Sequence, residues 1–456
     1  MTEPPVRTPR IDDAFRIAGE HEVAGRFDEA RLLLEQILAA APDAPGPLHL
    51  LGVVAYRQGR IDEALGFMER SLRINRDQPL PCRNICEVYR ALGRTGDALD
   101  AGRRAVALGP GDPLSLLNLA LIHSDRLEFD DTIDCAERAL RLDPKLAAAH
   151  FELAKAYLVQ GDFARGWEKY EWRYRIAGAA PPIPETDRPQ WDGRPLGAGR
   201  LLLIGDQGFG DVIQFARYIP WALQRCPDLV VAASPEMRPI VEQFGRFPVV
   251  DRWEQVQGFV AYCPLSGLPR LAGTRLETIP AAIPYLRADP ERSGRWQQRL
   301  AALVPSGYRR IGLVWAGRPT HRNDRLRSCG LARLAPLADT PGIALISLQK
   351  GPAAGQIKQY FGRAPLLNLD PEIDDFRDTM AILDHLDLVV TVDTAIGHLA
   401  GAMGKPVWIM LAHAADWRWL LGRSDTRWYP TARLFRQSAP EDWDGVAAVV
   451  ARGLRG

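Results

Sequence analysis

A step of 34 residues organises the first third of the chain. From Pro45 it lands on Pro79, Pro113 and Ala147, and from Gly59 on Gly93, Leu127 and Gly161. From Gly52 it reaches Cys86, Ala120 and Ala154, and one step back it reaches Ala18. A fixed period of this length means stacked copies of one small unit, each burying its apolar face only against its neighbours. The residue types fit a pair of helices. Small residues at these slots and at Ala30, Ala64 and Ala98 let two helices approach closely. Gly25, Gly59, Gly93 and Gly161 permit the tight turn between them.

The pattern resembles the tetratricopeptide repeat, with about five copies over residues 11–175 and prolines 42, 110 and 144 near the ends of second helices. The resemblance implies an all-α superhelix that holds a protein segment on its concave face or offers a homodimer surface. Asn84 and Asn118, again 34 apart, are the candidate protein-binding residues, because a carboxamide can pair with an extended backbone. Cys82 and Cys86 fall in the helix packing, and the six cysteines match no zinc spacing. Residues 176–198, rich in proline and glycine, read as a linker.

Beyond Arg200 the period changes. Short apolar runs at 201–205, 229–234, 248–251, 312–317, 343–349, 386–393 and 406–411 alternate with helix-like segments. That alternation predicts parallel, doubly wound sheets, in two Rossmann-like halves at 199–303 and 304–456. The balance of 57 basic and 56 acidic residues gives no reason to expect nucleic acid as a partner. No apolar run reaches the length of a membrane span, and the first ten residues lack a signal peptide's apolar core. The expectation is a cytoplasmic location with no integral membrane segment.

The stretch DTAIGHLAGAMGKPVWIML (393–411) resembles the C-terminal motif of the heptosyltransferase-like family 9 glycosyltransferases. GFGDVIQFARYIP (208–220) is similar to the N-terminal loop of that superfamily, and ADWRWLLGRSDTRWYPTARLFRQ (415–437) resembles bacterial proteins joining repeats to such a domain. The resemblance implies a GT-B fold: an acceptor-side half, a nucleotide-sugar donor half and a cleft between them. It implies donor phosphates near Asp393, Thr394, Ala395, Ile396, Gly397 and His398, and Asp211 as the general base. A helix opening after a strand end, with Asp393 as its cap, would meet phosphates through free amides. Lys350, one of only six lysines, follows a strand and could stabilise the leaving phosphate. Arg318 and Arg325, with His321, Asn323 and Arg327, lie beyond another strand end. Gln207, Gly208 and Gly210 shape the loop before Asp211. Asp206 stands where repeat-linked relatives carry glutamate, with its role open.

Trp417, Trp419 and Trp428 read as packing rather than stacking platforms. Asp442-Trp443-Asp444 spells a metal-binding pattern of other transferases but falls at the start of the final helix, where it reads as a cap. No metal or cofactor is expected beyond the nucleotide-sugar substrate. The chain thus reads as an inverting, metal-independent glycosyltransferase. Its acceptor would be a Ser or Thr hydroxyl of a protein, flagellin among the candidates, recruited by the repeats. The alternatives are a lipid-linked or polysaccharide acceptor, or a non-enzymatic scaffold with a degenerate transferase domain.

Overall fold

The computed structural model of the protein describes residues 11–176, 178, 186–321 and 323–455. The first ten residues, and positions 177 and 179–185 of the stretch read as a linker, lie outside the described residues. The chain forms two compact units, the first running to Ala156 and the second beginning at Tyr157.

The first unit is all helical. Its pairs are Ile11–Val23 with Phe27–Ala40, Pro45–Arg57 with Ile61–Ile74, Pro79–Ala91 with Thr95–Leu108, and Pro113–Asp125 with Phe129–Leu142. Proline opens three first helices, where its missing amide costs nothing, and the Asp112 carboxylate caps the third of these by accepting from Leu114 and Ser115. Gly25, Gly59 and Gly93 take φ of +75°, +78° and +72° at the turns within pairs. Leu127 takes the same left-handed conformation at +61° without glycine's freedom. At Gly52 a Cβ would lie 2.6 Å from Met68 Cγ, so the slot must stay small. Cys86 fills the equivalent place at 0% exposure, and all six cysteines are buried and unpaired.

The second unit opens with the helix Phe163–Tyr170 and a short turn, Glu171–Arg175. Two parallel sheets follow. Strands β1 (Arg200–Ile204), β2 (Leu229–Ala232), β3 (Val249–Val250) and β4 (Phe259–Pro264) lie in the order β3-β2-β1-β4. Strands β5 (Arg309–Val314), β6 (Ile343–Ser347), β7 (Leu366–Asn368), β8 (Leu388–Val392), β9 (Val407–Leu411) and β10 (Ala432–Arg436) lie in the order β10-β9-β8-β5-β6-β7. β1, β6 and β8 are buried along nearly their whole length, which is why they read as unbroken apolar runs. The two sheet-and-helix regions give a GT-B-like, two-lobed architecture. No helix among the described residues is long and apolar enough to cross a membrane.

Topology already points to the site. Strand order reverses between β1 and β4 in the first lobe and between β5 and β8 in the second. In open parallel sheets, ligands bind beyond the carboxyl ends of strands at such reversals. The segments there are Gly205–Asp211, Trp315–Arg318 and Asp393–Ile396.

Candidate active site

The loop after β1 is braced from behind. Asp206 is 2% exposed and accepts from the Ser266 amide (3.0 Å), the Ser266 hydroxyl and the Tyr174 hydroxyl (2.8 Å). Arg173 lies 3.8 Å away. This buried knot answers the question left open for Asp206: it anchors the loop. Gln207 is held at φ +65°, a conformation that costs a non-glycine residue about 1 kcal/mol or more. Its side-chain Oε1 accepts from the Tyr170 hydroxyl at 3.1 Å. Gly208 then opens the loop helix, Phe209–Ala216.

Asp211 sits in the first turn of that helix. One carboxylate oxygen accepts from the Gly208 amide (3.0 Å), and the other lies 2.5 Å from Nη2 of Arg418 in the opposite lobe. Burial pushes the Asp211 carboxyl up, and Arg418 pulls it back part of the way. Arg418 is 9% exposed and also lies 3.3 Å from Asp416. Burial alone would push its guanidinium down, but Asp416, Asp211 and Asp393 together reverse the direction and hold the proton. Its Nε has no hydrogen-bond partner.

After β8 the motif helix, Ala395–Ala402, begins. Its cap position is Thr394, not Asp393, and no side chain caps its amides. The expectation that Asp393 caps this helix is therefore corrected. The Asp393 carboxylate instead accepts from the Trp419 indole at 2.9 Å, and its backbone carbonyl accepts from Arg327 at 3.3 Å. Burial pushes the Asp393 carboxyl up as well. Residues 393–396 are only partly buried, and no side chain caps the amides of this first turn. The helix N-terminus, Arg327 and Arg418 converge there: an arrangement able to receive a phosphate.

Gly397 and His398 lie deeper. His398 is 2% exposed, its Nδ1 lies 2.8 Å from the Tyr429 hydroxyl, and its ring packs 5.4 Å from Trp419. Burial, with Arg418, Arg217 and Arg327 nearby, holds it well below the usual histidine range, so it is neutral. A Cβ on Gly210 would come within 2.8 Å of the His398 ring, so the loop helix and the motif helix touch at this glycine.

The remaining candidates divide. Arg318 is exposed and its guanidinium lies over the Phe209 ring (5.5 Å), which brings it to the loop helix. Arg325 is also exposed and lies 3.6 Å from Glu441. Lys350 spends its ammonium on the segment that follows β7, donating to the carbonyls of Asp370 (2.7 Å) and Ile373 (3.0 Å) beside the Asp370 carboxylate (2.8 Å). In the first unit, Asn84 Nδ2 lies 3.0 Å from the His49 ring and Asn118 donates to the Arg83 carbonyl at 3.2 Å, so both amides contact the preceding repeat. Trp417 is buried against Trp167 (5.2 Å), Tyr170 and Phe163, and Trp428 stacks on Phe163 at 6.1 Å. Asp442 accepts from the Gly445 amide (3.0 Å) at the start of the final helix. Among the described residues, His123, Glu128 and Asp131 place ligand atoms within 4.8 Å of one another, although His123 and Glu128 already pair at 2.7 Å.

Arg418 is the residue that sequence reasoning passed over. Its one signal was a lone cation between two tryptophans in ADWRWL.

Comparison with known proteins agrees with this division of the chain. Tetratricopeptide-repeat family models match residues 24–80 and 117–175, and the model for glycosyltransferase family 9 (heptosyltransferase) matches residues 355–411. The chain is 28% identical over 336 residues to Protein FlbA of Caulobacter vibrioides, covering 68% of this chain and 55% of that protein. It therefore spans about half the length of the curated relative it matches. Among solved structures, MamA is 20% identical and covers 34% of this chain and 91% of its own, with a TM-score of 0.32. A thermophilic tetratricopeptide-repeat protein in Thermus thermophilus is 20% identical and covers 38% and 93%, with a TM-score of 0.33. The chain is a tetratricopeptide-repeat array fused to a glycosyltransferase segment of the family 9, heptosyltransferase-like kind.

Proposed function

We propose that the second unit moves a sugar from a nucleotide-linked donor to an acceptor hydroxyl, with the donor phosphates at the N-terminus of the motif helix. The observation that carries this reading is the uncapped first turn at Thr394–Ile396, set at the reversal of strand order with Arg327 and Arg418 beside it. In the reaction the acceptor oxygen bonds to the anomeric carbon from the face opposite the phosphate, so the centre inverts. The bond to phosphate breaks with its electron pair leaving on the phosphate oxygen. Asp211 takes the acceptor proton, and the charge gathering on phosphate meets fixed donors. Those donors are the chain's own arginines and amides, which supports a reaction that needs no metal.

The family 9 match favours a polysaccharide or lipid-linked acceptor. The repeat array favours a second reading, a Ser or Thr hydroxyl on a protein that the repeats recruit. The experiment is a transfer assay with UDP-, GDP-, ADP- and CMP-sugars against glycan and protein acceptors, following nucleotide release. One donor class should be turned over, and Asp211→Asn should lower the rate at least about 100-fold. No turnover with any donor supports the scaffold reading, in which Asp211 serves only to pair with Arg418.

A further inference from the structure

Asp211 is placed for one task and occupied with another. A general base needs an oxygen free for the acceptor, yet both of its oxygens are engaged, one by Gly208 and one by Arg418. The two sides of the Arg418 pair differ in how firmly they are held. Arg418 belongs to a rigid segment: its amide donates to Asp416, buried Trp417 and Trp419 flank it, and Leu420 follows at φ +53°. Of the carboxylates around it, Asp393 is tied to the Trp419 indole and Asp416 to the Arg418 amide itself. Asp211 alone of the three comes from the other lobe, on the first turn of its helix. With Asp416 at Nη1 and Asp211 at Nη2, a phosphate can take Nη2 only once Asp211 leaves it.

We infer that Arg418 is the cation that grips the donor phosphates, and that the Asp211 carboxylate occupies its place until a nucleotide displaces it. The inference rests on the proposed donor site and deepens it. An incoming phosphate replaces one carboxylate oxygen at Nη2, and the orphaned Nε supplies a second donor, making the two-pronged contact that suits guanidinium and phosphate. The released Asp211 loses the cation that lowered its proton affinity, so it becomes the stronger base for the arriving acceptor hydroxyl. Donor binding thus switches on the base. Without a donor the base is held by an arginine, which guards the site against abstracting protons idly.

A competitor removed should reveal itself as tighter binding. UDP, GDP, ADP and CMP are titrated calorimetrically into wild type, Asp211→Asn and Arg418→Lys. Asp211→Ser runs alongside, because serine still accepts from the Gly208 amide if the asparagine variant does not fold. The expected result is binding at least tenfold tighter in the Asp211 variants, together with at least tenfold weaker binding in Arg418→Lys. Binding to wild type that is unchanged or weakened in the Asp211 variants overturns the displacement and leaves the donor site standing. Failure of every nucleotide on every variant overturns both.

Discussion

Asp393 shows what a carboxylate costs the fold that encloses it. Its carboxyl is raised above the ordinary range by burial, with Arg418 opposing. The folded protein therefore holds this proton more tightly than the unfolded chain does. Ionising Asp393 weakens the fold: the penalty is absent below the unfolded pKa near 4 and complete above the raised folded value. Asp393→Asn keeps an acceptor for Trp419 and removes the charge. It should raise the melting temperature at pH 7, with the gain fading toward pH 4, as calorimetry at the two pH values would show. A lower melting temperature at pH 7 would mean that Arg418 needs the Asp393 charge more than burial opposes it. Arg418→Ala should do the reverse and cost about 3–5 kcal/mol, because it strips the largely enclosed Asp211 and Asp393 side chains of their cation. The Asp–Thr–His motif was legible because its residues are contiguous; the pairing of Asp211 with Arg418 joins residues 207 apart and left no spacing to read. Lys350 was singled out for its rarity, and rarity does not say where an ammonium will turn.

At the scale of elements, two backbone sites test the packing directly. Leu127 holds a left-handed turn that glycine holds in the other repeats, so Leu127→Asn should stabilise the array by about 0.5–1 kcal/mol, measured as a higher denaturation midpoint. An unchanged or lower midpoint would show that the leucine side chain contributes more than the strain takes away. Gly210→Ala would add helix propensity, yet its methyl meets the His398 ring, which Tyr429 and Trp419 hold in place. It should destabilise by about 1–3 kcal/mol, as a melting temperature lowered by a few degrees. The long apolar strands announced themselves in the sequence. Three others did not, each for a reason: β4 (FVAYCP) mixes in a tyrosine and a cysteine, β7 has three residues, and β10 (ARLFR) carries two arginines.

For the whole molecule, the 34-residue period and the compact units divide the chain at different places. The helix Phe163–Tyr170 continues the repeat pattern in sequence, yet Trp167 donates its indole N–H to the Thr274 carbonyl (3.1 Å) and packs on Phe215 and Trp417. No periodicity could show this, because the partners lie about 50 to 250 residues downstream. A chain beginning at residue 157 should unfold cooperatively. One beginning at 186 loses Tyr170, Arg173 and Tyr174 from the site loop and should not, as calorimetry of the two would reveal. A crystal structure of the protein with a bound nucleoside diphosphate would show whether the donor site lies at the start of the motif helix. The phosphates should lie within hydrogen-bond reach of the Ala395 and Ile396 amides and of Arg418. Phosphates seated elsewhere would contradict that placement, for instance in the groove of about 490 Å³ lined by Gln243, Arg287, Arg292, Arg295 and Arg377.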